Sequence, residues 1–175
     1  MSTLRTFVTM PWADRTAVLE AALLCGWARL LLRRPFSQVA PKLGAHGHES
    51  TRDEVVAEQR HTARRVKQAV SRAARWMPWD CTCLVQAIVA RTMLSRRGID
   101  GTLYLGVRQD RAEGLEAHAW IRAGSLLVTG GNAAGSYAVV SVFAFGAEDD
   151  DRPRRRWSPG RPIPNDVVSP DASPA

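Results

Sequence analysis

Apolar positions in the first half of the chain recur every three or four residues, which is the spacing of amphipathic helices. The first run is "AVLEAALLCGWARLLL", residues 17–32. We expect Asp14 to cap this helix and Pro35 to follow its end. The run is shorter than the roughly 20 residues that a bilayer requires, and it contains Glu20 and Arg29. A buried helix is favoured over a membrane span, although contact with a membrane surface stays open.

Two more helices are predicted before residue 100. "TRDE", residues 51–54, has the spacing of a capping box. It precedes one apolar stripe at helical spacing, formed by Val55, Gln59, Ala63, Val66, Ala69 or Val70, Ala73 and Trp76 or Met77. The third helix begins near Thr82 and ends at "SRRG", residues 95–98, where Gly98 suits a left-handed C-cap.

After Gly98 the apolar period changes from helical spacing to two, the period of strands. "GTLYLGVR", "LEAHAWIR", "SLLVT" and "YAVVSVFAF" follow one another with short breaks. Helices followed by an antiparallel sheet make an α+β domain. We expect residues 1–49 to form a helical extension, 50–146 the core, and 147–175 a flexible tail rich in proline and arginine.

A hairpin is predicted where "RAGS", residues 122–125, separates two of the strands. A two-residue loop of Ala123 and Gly124 fixes the expected cross-strand pairs, which are Arg122 with Ser125, Trp120 with Leu127, and His118 with Thr129. In this register Thr129 lies directly opposite His118 on the same face of the sheet.

Composition places the chain among single-domain proteins that bind acidic partners. The 175 residues suffice for one compact domain, and 24 Lys and Arg against 17 Asp and Glu give a net charge of +7. Three cysteines do not make a disulfide framework, and the N-terminal "MSTLRTFVTMPWADRT" has no recognisable secretory pattern. We therefore expect a cytoplasmic protein.

Cys83 and His118 are the candidate nucleophile and base. Cys83 falls in the first turn of the third helix, where free backbone N–H groups favour a thiolate and can hold an oxyanion. Cys81 precedes the helix and gains less from it. His118 lies on the strand face that also carries Glu116 and Trp120, away from the apolar face. A buried structural cysteine and a structural histidine are the ordinary alternatives for each residue alone.

Metal and nucleic-acid sites have weaker support. "CTC" and "HGH" contain residues that bind metals, but zinc sites require four ligands in spaced pairs, so we expect no metal. The arginine-rich second helix has no interleaved aromatic residues to stack on bases, so we expect no nucleic-acid partner.

The stretch "WMPWDCTCLVQAIVARTMLSRRGIDGTLYLGVR" with "LEAHAWIRAGSLLVTGG" resembles the lasso-peptide B2 proteins, which are transglutaminase-like cysteine peptidases. The likeness runs from about Arg75 to Phe145, and the preceding helical region resembles stand-alone members. The resemblance implies a transglutaminase- or papain-like fold, no cofactor, and removal of a leader from a ribosomally made lasso-peptide precursor.

Residue by residue, the resemblance makes Cys83 the nucleophile and His118 the base. The family's third residue is an Asp about a dozen positions after the histidine, a place that Thr129 or Gly130 fills here. Thr129 is the first candidate to orient His118, and Asn132 and Glu116 are the alternatives.

The resemblance also implies partners. Members without their own leader-binding domain use a separate leader-recognition protein, and an ATP-dependent lasso cyclase takes the released core peptide. Two alternative functions stay open at this point. One is acyl transfer to an amine by the same pair, and the other is an inactive basic adaptor in the same pathway.

Overall fold

The computed structural model describes residues 10–52, 56–110, 114–146 and 155–158. The helices are α1 Trp12–Leu31, α2 Phe36–Val39, α3 Ala57–Trp76 and α4 Cys83–Ser95, with 3₁₀ turns at Ala40–Lys42 and Gly131–Ser136. The strands are β1 Ala45–His46, β2 His48–Glu49, β3 Gly101–Asp110, β4 Gly114–Ala123, β5 Leu126–Thr129, β6 Ala138–Phe145 and β7 Arg155–Arg156.

Five strands form one antiparallel sheet in the order β1-β6-β3-β4-β5, and β2 pairs with β7 separately. Helices α1, α3 and α4 pack on one another, and α4 also packs on β3, β4 and β5. The predicted α+β class with N-terminal helices is confirmed. None of the helices in the described ranges is both long enough and apolar enough to cross a bilayer.

The helical layer has one continuous apolar core. The predicted stripe of α3 is confirmed in its middle part, where Ala63, Val66, Ala69, Val70 and Ala73 are buried. These small side chains let α3 approach its neighbours closely. Gln59, Trp76 and Met77 at the ends of the stripe are only half-buried. Helix α1 contributes to the same core, with Ala21, Cys25 and Ala28 fully buried.

Two of the predicted helix starts are wrong. Pro11 is the N-cap of α1, and Asp14 lies in its first turn, where its carboxylate accepts a hydrogen bond from Arg65 Nε at 3.1 Å. Helix α3 begins only at Ala57, after Val56. The carbonyl of Thr51 accepts from Arg122, which holds that segment against the sheet instead of at the helix start. Residues 53–55 of the expected capping box and stripe lie outside the described ranges.

The predicted hairpin register is wrong. The turn is Gly124–Ser125, with Gly124 at φ 54°, so Ala123 pairs with Leu126 and Arg122 with Leu127. An irregularity between Ile121 and Arg122 then shifts the register of the ladder, and Thr129 pairs with Ile121 rather than with His118. The glycine takes the first turn position because it accepts a positive φ without strain.

The sheet also buries aromatic residues on the face opposite the helices. This second cluster includes Tyr104, Trp120, Tyr137 and Val142. The alternation of apolar and polar residues in the sequence had indicated a polar face here. Trp157 packs against the cluster, and its backbone N–H donates to the carbonyl of Gly47 at 2.9 Å. Part of the expected flexible tail therefore lies on the sheet, while residues 147–154 and 159–175 lie outside the described ranges.

Arg122 is a large charged side chain that is buried on this second face of the sheet, with 1% of its surface exposed. Its guanidinium donates to the Tyr104 hydroxyl at 2.9 Å and to the Ser50 carbonyl at 2.9 Å. The Tyr104 hydroxyl in turn donates to Glu49 at 2.7 Å. The further acceptors of the guanidinium are the carbonyls of Thr51 and Gly124 and the hydroxyl of Thr102. This network joins the segment before α3 to the sheet.

Candidate active site

Cys83 is the first residue of α4, as predicted. Thr82 is the N-cap, and its hydroxyl accepts from the backbone N–H of Val85 at 3.5 Å. The Gln86 amide donates to the carbonyl of Cys81 at 2.7 Å and so fixes the approach to the helix. The half-buried thiol of Cys83 is free and lies at the positive end of the helix dipole.

His118 lies where β4 is the edge of the sheet. Strand β5 pairs with β4 only from Ile121 to Ala123, so on that side β4 has no paired strand at His118 among the described residues. On the other side of β4, His118 pairs with Gly106 of β3. A Cβ at Gly106 would lie 2.8 Å from the ring of Trp120 and 2.9 Å from Cβ of Tyr137. The absence of a side chain at Gly106 therefore leaves room for the two aromatic residues beside the histidine.

Two aromatic rings hold the imidazole of His118. The Tyr137 ring stacks on it with a centroid distance of 4.9 Å, and the Trp120 ring with a distance of 5.9 Å. Trp120 is fully buried and Tyr137 nearly so. These contacts restrict the rotation of the imidazole before any polar interaction is considered.

The polar partner of the imidazole is a backbone carbonyl. His118 Nε2 lies 3.0 Å from the carbonyl oxygen of Gly130. Because a carbonyl oxygen only accepts hydrogen bonds, Nε2 carries the proton in this contact. The neutral imidazole then has its lone pair on Nδ1, the nitrogen left available as a base.

Gly130 directs its carbonyl toward His118 through a backbone shape that requires glycine. Its φ is 67°, and it serves as the N-cap of the 3₁₀ turn that follows β5. A Cβ at this position would lie 2.6 Å from the carbonyl oxygen of Ala119 and 2.9 Å from Nε2 of His118. Any other residue would therefore be strained and would crowd the nitrogen that the carbonyl binds.

Glu116 acts on Tyr137. Its carboxylate accepts from the Tyr137 hydroxyl at 2.6 Å and pairs with Arg108, whose guanidinium lies 4.8 Å from the Tyr137 ring centroid. The hydrogen bond to Glu116 raises the pKa of the Tyr137 phenol, with desolvation and the charges of Glu116 and Cys83 acting in the same direction against Arg108.

A cavity of about 260 Å³ opens beside His118. Gln86, one turn after Cys83, forms one wall, and Thr129 and Gly130 form another. Lys67 and Ser71 of α3 complete its outer side. The elements that carry Cys83 and His118 thus face one depression, which has space for a substrate segment.

The three candidates for the third residue have different positions. Thr129 lines the cavity, but its buried hydroxyl has no hydrogen-bond partner in the described part of the chain. Glu116 binds Arg108 and Tyr137. The side chain of Asn132 lies outside what the structure describes. The hydrogen bond expected from a side chain is made by the carbonyl of Gly130.

Sequence reasoning did not identify Tyr137 or the Gly130 carbonyl as parts of the site. Tyr137 follows a glycine-rich segment that has no apolar period, so no pattern indicates its contact with His118. The "GG" after "LLVT" is the only signal for Gly130, because adjacent glycines indicate a turn without giving its direction.

The cysteines and histidines do not assemble into a metal-binding cluster within the described ranges, where no three His, Cys, Asp or Glu residues come together. His46 Nε2 lies 3.0 Å from the Ser141 hydroxyl, and His48 Nδ1 lies 3.0 Å from the His46 carbonyl. "HGH" therefore stabilises the edge of the sheet.

Residues 19–142 match the model of the transglutaminase-like superfamily. The chain belongs to that superfamily. Its members are cysteine peptidases and acyltransferases, a description that agrees with a cysteine at a helix start and a histidine on the facing sheet. No curated protein and no solved structure matches the chain.

In this transglutaminase-like protein, restoring an acid at position 130 is expected to lower activity. Gly130→Asp places a Cβ against Ala119 and His118 and changes the direction of the carbonyl. We expect kcat/KM of the enzyme to fall by about a hundredfold, the cost of misplacing a catalytic group by about 1 Å. Gly130→Ala is expected to show a similar loss, measured by chromatography of the products.

Thr129→Val is the matched control, since it removes a hydroxyl without a hydrogen-bond partner in the described ranges and keeps the side-chain shape. It is expected to retain most of the activity. Higher activity in Gly130→Asp, or a large loss in Thr129→Val, would show that a side chain orients His118.

Proposed function

We propose that the protein is a cysteine peptidase that removes the leader from a lasso-peptide precursor. The supporting observation is the oriented imidazole of His118, which is stacked on Tyr137 and bound through Nε2 to the Gly130 carbonyl. His118 lines the same cavity as Gln86 of α4, the helix that begins with the free thiol of Cys83. The resemblance of residues 75–145 to lasso-peptide B2 proteins supplies the substrate class.

The first chemical step is attack by Cys83. Nδ1 of His118 accepts the thiol proton, and the sulfur adds to the scissile carbonyl at the junction of leader and core. The backbone N–H of Cys83, in the first turn of α4, has no intrahelical acceptor and stabilises the oxyanion. The imidazolium then protonates the leaving amine, which frees the core peptide.

The second step is hydrolysis of the leader thioester. His118 removes a proton from water, the resulting hydroxide adds to the acyl carbon, and the thiolate leaves. A carboxylate is dispensable here because a thiol ionises more readily than a serine hydroxyl and requires less stabilisation of the imidazolium. The Gly130 carbonyl keeps the imidazole in the correct tautomer.

Partners follow from the same proposal. A separate leader-recognition protein delivers the precursor, and an ATP-dependent lasso cyclase consumes the core peptide. The reaction takes place in the cytoplasm without cofactor or metal.

The product masses test this function. The full chain is incubated with a precursor and its leader-recognition protein, and the products are analysed by mass spectrometry. We expect a leader with a free carboxylate and an intact core. A leader joined to an added amine would instead identify an acyltransferase, and an unchanged precursor would support the inactive adaptor.

The alkylation rates of the thiols give a second readout. Cys83 is expected to react with iodoacetamide before Cys81, and Cys25 to react last. Burial and the neighbouring Cys81 thiol raise the pKa of Cys25 to about 12, which leaves almost no thiolate at neutral pH. Equal rates at the three positions would contradict an activated Cys83.

A further inference from the structure

A second depression of about 460 Å³ adjoins the cavity at His118. Lys67 and Ser71 line both depressions, and Leu126 of the second lies next to Leu127 of the first. The two form one continuous groove that leads from the candidate active site along α3. We call it the α3 groove. Its outer part is lined by Arg64, Lys67, Gln68, Ser71, Arg72, Arg75 and Leu126.

The α3 groove is strongly cationic. Among the residues that the structure describes, its outer part is lined by Arg64, Lys67, Arg72 and Arg75 and by no carboxylate. None of these four cations has an ion-pair partner among the described residues, whereas Arg65, on another side of the same helix, is paired with Asp14. Four cations close together repel one another, and a negatively charged ligand relieves that repulsion.

The dimensions of the groove suit an extended peptide. Arg64 and Arg75 are 11 positions apart, which at about 1.5 Å per residue is roughly 16 Å along the helix axis. An extended peptide of about five residues covers that length. Successive cations are three, five and three residues apart, or about 4.5 to 7.5 Å along the axis, which is comparable with the roughly 6.6 Å between alternate side chains of an extended peptide.

We propose that the α3 groove binds an acidic segment of the peptide substrate next to the scissile bond, an assignment that rests on the function proposed above. Arg72 and Arg75 are the specificity-determining residues, since their guanidinium groups bind carboxylates through two parallel hydrogen bonds. Nucleic acid is the less suitable occupant because the groove lining includes no aromatic side chain on which bases stack.

Binding of short labelled peptides to the full chain tests this assignment. The probes are a fluorescent peptide of about eight residues with alternating Glu and Gly, and a copy with Gln in place of Glu. Fluorescence anisotropy is expected to detect the Glu peptide only, with an affinity that decreases as salt increases. Equal affinity for both peptides would overturn the proposal.

Charge reversal in the groove is compared with charge reversal elsewhere. Arg72→Glu/Arg75→Glu is expected to weaken binding of the Glu peptide at least about tenfold. Arg33→Glu/Arg34→Glu is the matched control, because this exposed pair follows α1 outside the α3 groove and changes the net charge equally. The control is expected to stay within about twofold. Equal losses in both variants would attribute binding to net charge alone.

Protection of Cys83 connects the groove with the active site. Saturating Glu peptide is expected to slow alkylation of Cys83 in the wild-type chain and to leave it unchanged in Arg72→Glu/Arg75→Glu, with circular dichroism confirming the fold of both. Failure of protection would separate the groove from the site. Tighter binding of an oligonucleotide of equal charge through the same arginines would overturn the peptide assignment.

These readouts are independent of catalysis. If the Glu peptide binds as described and precursor cleavage is absent, the proposed function fails alone. If the precursor is cleaved and the Glu peptide does not bind, the groove assignment fails alone.

Discussion

Cys83→Ala and His118→Ala are each expected to lower kcat/KM for precursor cleavage by at least about 10³-fold, because each removes one half of a pair that acts as a unit. The double variant is expected to lose little more than either single one. The measurement is mass spectrometry of precursor, leader and core over time, with the leader-recognition protein present.

Cys81→Ala is the matched control for Cys83→Ala. It also removes a thiol from the segment at the start of α4, but Gln86 binds the backbone carbonyl of residue 81, which the substitution keeps. We expect Cys81→Ala to retain most of the activity. A fully active Cys83→Ala would exclude the proposed nucleophile, whatever the behaviour of Cys81→Ala.

Arg122→Met is expected to lower the free energy of unfolding by about 3–5 kcal/mol, the usual cost of removing one partner from a buried charge network. The substitution leaves the Tyr104 hydroxyl and the carbonyls of Ser50 and Gly124 without their donor, while the buried Glu49 keeps its ion pair with Arg52. Chemical denaturation monitored by circular dichroism measures the change.

Two controls separate the network from general effects of losing an arginine. Arg33→Ala removes an exposed arginine and is expected to change stability by less than about 0.5 kcal/mol. Glu49→Gln with Arg122→Met removes both buried charges and is expected to recover part of the loss. A change below about 1 kcal/mol in Arg122→Met would show that the guanidinium contributes little.

Local signals in the sequence correctly predicted where helix α4, which carries Cys83, begins and ends. Thr82 and Gly98 mark the ends of α4, and the hydrogen bonds that they favour involve only neighbouring residues. The same locality explains the confirmed apolar stripe of α3. Whether Cys83 and His118 are catalytic stays a prediction.

The errors in the sequence analysis concern contacts between distant segments. The hairpin register depended on placing Gly124, rather than Ala123, at the first turn position and on an irregularity in the ladder, and the irregularity has no distinct sequence signature. The third residue is not among these errors and stays a prediction; the sequence analysis sought it among side chains with suitable chemistry. Since every residue has a carbonyl, only the φ of 67° at Gly130 shows which carbonyl faces His118.

The carbonyl at Gly130 also affects the charge of the site. A carboxylate in its place would add a full negative charge beside the α3 groove, and that charge would repel acidic side chains of a substrate. A neutral dipole orients His118 without that repulsion. For an acidic peptide in the α3 groove, the missing aspartate therefore makes entry to the active site easier.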